Sequence, residues 1–526
     1  MVDAAPFTLP PEALARFREI LPADAVHVDE ADRDELRDPY WYQEDRSYDS
    51  SAVLYPTQVE EIQAIVRVAN EFGVPIWTSS QGRNNGYGGP SPRVKGSVLI
   101  SLRRMNRVLE INRELAYAVV EPGVRWMDLA EALVEAGADD LLLSTPDVGW
   151  GSIVGNSMDN GVSYLPNGAD FMAPTGLEVV LPDGELLRTG LGAAPGNKSW
   201  HLYKRGLGPT LDPFFAQSNF GIVTRMGVWL MRKPEAMASL QLSIPRNDQL
   251  GQAIDIIREL RMSGAIRGVP GVYSFPVMAW QVPELGEYMG GKGALPEEEL
   301  QRLAEESGLG RWSVGVGVWG DAPVVEHHVK RIKERWAEIE GSRVSHEGRY
   351  TREEWGPFDV FRDKINGGHP TLEMLDLVPD GIGHLAFSPV IPLVGEEIEK
   401  FERLISAYML EHMDANLSAG MTIINDRSLI IVVNLDLVLD DEEQVKNAYK
   451  TIKHMVEHFG KLGYTEYRAH LEIMDIASAQ YSFNDHAYRR FVETIKDAVD
   501  PNGVIAPGRH GIWPARYRGG LPPGKR

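Results

Sequence analysis

Gln81-Gly82-Arg83-Asn84-Asn85-Gly86-Tyr87-Gly88-Gly89 and Gly149-Trp150-Gly151-Ser152-Ile153-Val154-Gly155-Asn156 decide the reading of this chain. Each strings backbone amides along a turn with few bulky side chains, as a pyrophosphate or a flat cofactor ring requires. Glycine reaches positive φ and lets its N–H approach an anion closely. Neither loop carries a Walker lysine or opens a strand–GxGxxG–helix unit, so the pair predicts a cofactor lying extended between two layers.

Working outward, the flanking sequence alternates strand and helix. Ala52-Val53-Leu54-Tyr55 reads as a strand. Thr57 and Glu60 read as a capping box opening a helix whose apolar positions are Val59, Ile62, Ile65, Val66, Ala69 and Phe72. Val74–Trp77 is a strand running into the first loop. Val98–Ile100 and Ala116–Val120 are strands, Trp126–Ala136 is a helix, and the strand Gly176–Glu185 ends in a turn. After Lys233-Pro234 longer amphipathic helices appear, at 249–262, 296–307 and 324–339, between Val- and Ile-rich strands. That pattern predicts a second domain, an antiparallel sheet backed by helices, which the chain leaves around Gly463–Arg468.

The totals agree. A chain of 526 residues exceeds one core and suits two domains, and 43% apolar residues is an ordinary globular share. A net charge of −22 argues against nucleic acid or an anionic membrane surface as partner. With no cysteine, disulfides, thiol nucleophiles, iron–sulfur ligation and thiolate zinc are excluded. The first residues show no signal peptide, no apolar run approaches about 18 residues, and the last residues are not a peroxisomal tripeptide, so a cytoplasmic protein is expected.

Gly315-Val316-Gly317-Val318-Trp319-Gly320 matches GxGxxG literally but sits inside an alternating strand. Its glycines read as strand positions where another group packs close. His327-His328, His412 and His454 read as surface histidines, and no metal site is expected.

The two loops, with Leu177-Glu178-Val179-Val180, Leu186–Gly190, Gln217–Thr224, His384-Leu385-Ala386-Phe387-Ser388-Pro389, Tyr467-Arg468 and Val499–Arg509, resemble the vanillyl-alcohol oxidase, eugenol oxidase and p-cresol methylhydroxylase family of flavoenzymes. The matches run in family order from about residue 50 to the end. The resemblance implies an α+β, two-domain FAD-binding fold with an inserted cap. Residues 1–234 and 464–526 would form the discontinuous FAD domain and 235–463 the cap. It also implies FAD held by Gly82, Arg83, Asn84, Asn85, Gly86, Gly88, Ser152, Gly155, Asn156, Gly221, Ile222, Val223 and Arg509. A histidine of the family's oxidases bonds to the flavin 8-methyl group, and His384 stands at that position. By itself His384 reads more readily as a buried structural histidine, and the matched Phe387-Ser388-Pro389 reverses that. An ordinary imidazole pKa near 6.5 makes the neutral nucleophile abundant.

In the family a para-substituted phenol binds as phenolate between two tyrosines and an arginine, which match Tyr87, Tyr467 and Arg468. Asp147 matches the acidic residue beside the flavin, and Tyr164 another pocket tyrosine. Without the resemblance, Asp147 after Pro146 reads as well as a turn aspartate. The implied activity is oxidation of 4-alkyl, allyl or hydroxymethyl phenols, such as eugenol or vanillyl alcohol, through a quinone methide, with O2 reduced to H2O2 and a homodimer as the assembly. The alternatives are a dehydrogenase passing electrons to a cytochrome and a flavin oxidase of hydroxy acids or sugars. Three departures fall near the expected cavity: Trp150 between two glycines, Pro166-Asn167-Gly168-Ala169-Asp170 where relatives often read Tyr-Gly-Asp-His, and Ala386 in place of phenylalanine.

Overall fold

A computed structural model describes residues 4–41, 45–169, 171–289, 293–377, 380–519 and 524. Asp170 and the extreme chain ends lie outside the described residues. The expected α+β architecture is present as three principal sheets and the helices packed on them.

The first is a four-stranded sheet ordered Val26–His27, Ala52–Leu54, Val98–Ser101 and Ile76–Ser79, its last three strands parallel. Helix Val59–Phe72 makes the crossover, burying Ile62, Ile65, Val66 and Ala69, and Gly73 ends it at φ +63°. The capping box falls one residue later than Thr57 and Glu60. Because the helix begins at Val59, Glu61 is the third residue, and its Oε2 accepts from the amides of Thr57 at 2.6 Å and Gln58 at 3.1 Å. The C-terminal segment returns to this sheet, with Ile76 donating to the Val504 carbonyl at 2.8 Å and Ala506 to that of Ile76 at 2.7 Å. A fully buried ion pair fixes that return: Lys496 Nζ meets Asp500 Oδ2 at 2.7 Å, and Asp500 accepts from the amides of Val504 and Ile505. The second sheet is antiparallel, ordered Val108–Asn112, Tyr117–Val120, Ile222–Trp229, Pro174–Val180 and Leu186–Arg188.

The third sheet has eight strands, all antiparallel. Arg343–Thr351, Ala236–Ile244, Trp312–Gly320, Gly271–Ser274, Ala419–Thr422, Ser428–Val438 and Ile382–Phe387 pair in that order, and Val390–Pro392 also pairs with Ser428–Val438. Alternation gives it two unlike faces. Leu429, Ile431, Val433, Leu435 and Leu437 enter the core beneath helices Leu250–Met262, Ala322–Trp336, Gly395–Met413 and Glu442–Lys461. Their neighbours Asn434 and Asp436 face the other way, and the register sets them opposite Ala386 and His384.

Short helix Phe361–Asn366 lies on that second face, where Asn366 Nδ2 donates to Ser239 Oγ at 2.9 Å. The GxGxxG decoy is a strand, as its alternation requires. A Cβ on Gly315 would come within 3.3 Å of Arg362 Cδ, and one on Gly317 would meet the Trp319 ring. These glycines make room for side chains. Among the described residues no helix is long and apolar enough to cross a membrane, and no group of His, Asp and Glu is arranged to hold a metal.

Candidate active site

A cleft of about 760 Å³ runs between the two glycine loops, the Gly221–Val223 segment, the Ile505–Arg509 return and the polar face of the large sheet. That is room for a large ligand. Of the residues expected to hold a cofactor, Gly82, Arg83, Asn84, Asn85, Ser152, Gly155, Asn156, Gly221, Ile222, Val223, His384 and Arg509 line it. Tyr87, Asp147 and Arg468 line it too. Gly86, Gly88, Tyr164 and Tyr467 are not among its lining residues. A Cβ on Gly86, at φ +77°, would fall 2.7 Å from His384 Nε2, while the missing side chain of Gly88 makes room for Leu471.

The donors fit a flavin nucleotide. The amides of Gly82, Arg83, Asn84 and Asn85 find no acceptor among the described residues, and all four residues line the cleft, so their N–H groups are free to donate to a bound anion. Across the cleft, Ser152 Oγ caps its helix by accepting from the Gly155 amide at 2.8 Å, and a Cβ on Gly155 would collide with Ser80 Oγ. Trp150 joins the loops: the Arg83 guanidinium lies 4.3 Å from the centre of its ring. The indole thus supplies a cation–π contact between the two loops.

At one end of the cleft the Arg468 guanidinium carbon lies 5.1 Å from the Tyr87 ring and 5.4 Å from that of Tyr467. Nε and one terminal nitrogen donate to the Asp159 carbonyl at 3.0 and 2.8 Å, and Nε approaches Asp159 Oδ2 at 3.4 Å. The other terminal nitrogen, Nη1, makes no hydrogen bond within the described residues. Asp159 is a hub: Oδ1 also meets Arg509 at 3.2 Å and His510 at 3.1 Å, and Oδ2 accepts from Asn84 Nδ2 at 3.3 Å. Burial would raise its carboxyl, but Arg468 and Arg509 overcome that and hold it well below the ordinary carboxylate range. Tyr87 is buried, which pushes its hydroxyl well above the ordinary phenol value, and Oη lies 2.8 Å from Ser388 Oγ.

Asp147 belongs to a second cluster. Tyr164 donates to Asp147 Oδ2, Arg362 approaches Asp147 Oδ1 at 3.4 Å, and Arg362 donates to Tyr273 Oη at 2.7 Å. The Arg362 guanidinium also sits over the Tyr164 and Tyr273 rings at 4.8 and 5.1 Å. Burial and the Asp147 charge push the Tyr164 hydroxyl far up, so it stays a donor.

His384 projects from the sheet with burial lowering its pKa to about 4, so the imidazole is neutral at physiological pH. Tyr40 covers it, ring centres 5.5 Å apart. Asp436 lies opposite it across the strand pair and is exposed to solvent.

Sequence reasoning missed Asp159, Arg362, Tyr273, Glu466, Tyr40 and Asp436. Asp436 alone had a usable signal, as an acidic residue on the otherwise apolar strand Ser428–Val438.

Comparison with known proteins bears on the family and the fold. Residues 50–190 match the family described as FAD binding domain, the part that holds both glycine loops. The chain is 31% identical over 513 residues to the 4-cresol dehydrogenase [hydroxylating] flavoprotein subunit of Pseudomonas putida, covering 95% of each chain. A solved structure of 4-ethylphenol oxidase from Gulosibacter chungangensis with isoeugenol superposes with a TM-score of 0.90 at 36% identity, over 98% of this chain and 100% of that one. A structure of p-cresol methylhydroxylase with substrate bound gives a TM-score of 0.88 at 30% identity, over 97% and 99%.

Proposed function

The chain belongs to the vanillyl-alcohol oxidase and p-cresol methylhydroxylase family of FAD-dependent oxidoreductases, and on that premise we propose that it oxidises para-substituted phenols at the benzylic carbon. The observation that carries the reading is the convergence of Tyr87, Tyr467 and Arg468 at one end of the cleft, with Arg468 Nη1 uncommitted.

A phenol ionises near pH 10, so holding it as phenolate at pH 7 requires about 4 kcal/mol. Arg468 and two tyrosine hydroxyls, at about 1.5–3 kcal/mol per charge-assisted bond, supply that. The anion sends electron density to the para position. FAD, when bound, supplies the acceptor for the two electrons that leave the benzylic carbon. The four orphan amides of Gly82–Asn85 would hold its pyrophosphate, and neutral His384 would carry the covalent link. Oxidation turns the phenolate into a quinone methide. Asp147, held by Tyr164 and Arg362, would accept a proton from the water that adds to it. Residues 1–234 and 464–526 would form the cofactor domain and 235–463 the cap, in a cytoplasmic homodimer.

Likeness to the 4-ethylphenol oxidase favours O2 as the final acceptor, giving H2O2. Likeness to the cresol dehydrogenase supports a second reading, with electrons passed to a cytochrome. Anaerobic reduction by 4-ethylphenol, eugenol or vanillyl alcohol, followed by air, separates them. Rapid recolouring with stoichiometric peroxide supports the oxidase; slow recolouring, sped by an added cytochrome c, supports the dehydrogenase. No bleaching by any para-substituted phenol defeats both.

A further inference from the structure

Ser388 touches both tyrosines of the phenol end without facing the cleft. Its Oγ lies 2.8 Å from Tyr87 Oη, its carbonyl accepts from the Tyr467 amide at 3.0 Å, and its own amide donates to Glu466 Oε2 at 2.8 Å. It is wholly buried, and Pro389 bridges to Glu466 beside it. Tyr87 has one proton. If that proton is given to a bound phenolate, the contact with Ser388 is made through a Tyr87 lone pair, and Ser388 must be the donor.

We infer that Ser388 is a positioning residue for the phenol: its hydroxyl donates to Tyr87, aiming the single Tyr87 proton at the phenolate, while Glu466 anchors Ser388 from behind as a neutral acid. The inference rests on the reading of Tyr87, Tyr467 and Arg468 as the phenol site. A donor chained to a donor polarises it, so the Ser388–Tyr87 bond strengthens the Tyr87–phenolate bond. The anchor must be uncharged, because a second anion there would cancel the Arg468 charge that the phenolate needs. Glu466 meets that condition: Oε1 is sealed from solvent with no hydrogen-bond partner, and burial pushes the carboxyl well above its ordinary value. Among the described residues, the charged and titratable groups around Ser388 and Glu466 are Tyr87, Tyr467 and Tyr481, with Arg468 and its counter-ion Asp159 beyond them.

The test uses the flavin-loaded protein and 4-nitrophenol, whose phenolate absorbs visible light, titrated bound across pH. Ser388→Ala raises the bound-ligand midpoint by about half to one pH unit and raises KM for 4-ethylphenol more than it lowers kcat, and Ser388→Thr restores the midpoint. Should Ser388→Ala fold poorly, Ser388→Cys, a weaker donor of similar size, decides: it raises the midpoint when Tyr87 is present, and in the Tyr87→Phe background it shares one midpoint with the unsubstituted Ser388. Separate midpoints there overturn the relay. So does an unmoved midpoint in Ser388→Ala when Arg468→Lys moves it. If Arg468→Lys and Tyr467→Phe also leave it unmoved, the phenol site itself is misassigned. Glu466→Gln keeps the midpoint near that of the unsubstituted protein; a fall of a unit or more would reveal a negative charge at 466 and overturn the neutral anchor.

Discussion

Replacing Asp159 with Asn separates stability from phenol acidity, because the two are expected to move in opposite directions. The carboxylate is 7% exposed and faces Arg468, 9% exposed, at 3.4 Å and Arg509, 24% exposed, at 3.2 Å. Removing one charge from a buried pair costs about 3–5 kcal/mol, since the partner is left uncompensated. The lower end applies here, because Asn keeps the backbone carbonyl that accepts twice from Arg468, and Arg509 is partly hydrated. The expected loss is about 3 kcal/mol, read as a lower urea midpoint of the flavin-loaded protein. The folded-state pKa of Asp159 is depressed, so its contribution is present above the ordinary carboxylate value and lost as pH falls through the folded one. The stability gap between the two proteins should therefore be flat across neutral pH and narrow only below about pH 4. Meanwhile Arg468, freed of its counter-ion, should bind a phenolate more tightly, lowering the midpoint of bound 4-nitrophenol by about one unit, or roughly 1.4 kcal/mol. Equal urea midpoints, or a phenol midpoint that rises, would refute the assignment of Asp159 as the charge shared by the site.

Three further substitutions probe the cofactor side. His384→Ala should lose the yellow absorbance that stays with acid-precipitated polypeptide in the unsubstituted protein; retention there would exclude His384 as the attachment point. Because the imidazole stays neutral down to about pH 4, attachment should proceed equally well from pH 5.5 to 8, which intact mass measured over time checks. Gly86→Ala forces a side chain into positive φ and toward His384 Nε2 at 2.7 Å, so covalent incorporation should fall severalfold with a stability cost of about 1–3 kcal/mol, read by mass and urea unfolding. Gly315→Val drives a branched side chain into Arg362, and should cost about 1–3 kcal/mol and reduce turnover through the Asp147 cluster; wild-type stability and turnover together would show that Arg362 has room to move.

The sequence exposes what repeats locally and hides what long-range packing assembles. Helix Val59–Phe72 and the parallel strands around it were legible because apolar spacing and turn residues state them within a few positions. The glycine loops were legible because a free amide run needs residues without bulk, and the decoy at Gly315–Gly320 was rejected because its neighbours alternate. The capping box was misplaced by one residue because Thr57 is the better cap by composition, whereas Glu61 was chosen by where the helix begins. Asp159 shows the limit. In Asp159-Asn160-Gly161 it reads as a turn, and Asn160 does turn there, at φ +52°. Nothing nearby in sequence announces that Arg468, 309 positions on, donates to its carbonyl, or that Arg509, 350 positions on, pairs with its carboxylate. Arg362 is hidden likewise: Phe361-Arg362-Asp363-Lys364 reads as a solvated helix turn, yet the helix lies on the sheet and buries both Arg362 and Asp363. Both residues become readable only once the chain has folded, bringing the end of helix Ile153–Met158 beside Arg468 and Arg509 and laying helix Phe361–Asn366 on the sheet. A charge that matters because of its counter-charges is a property of that long-range packing, and no local pattern encodes it.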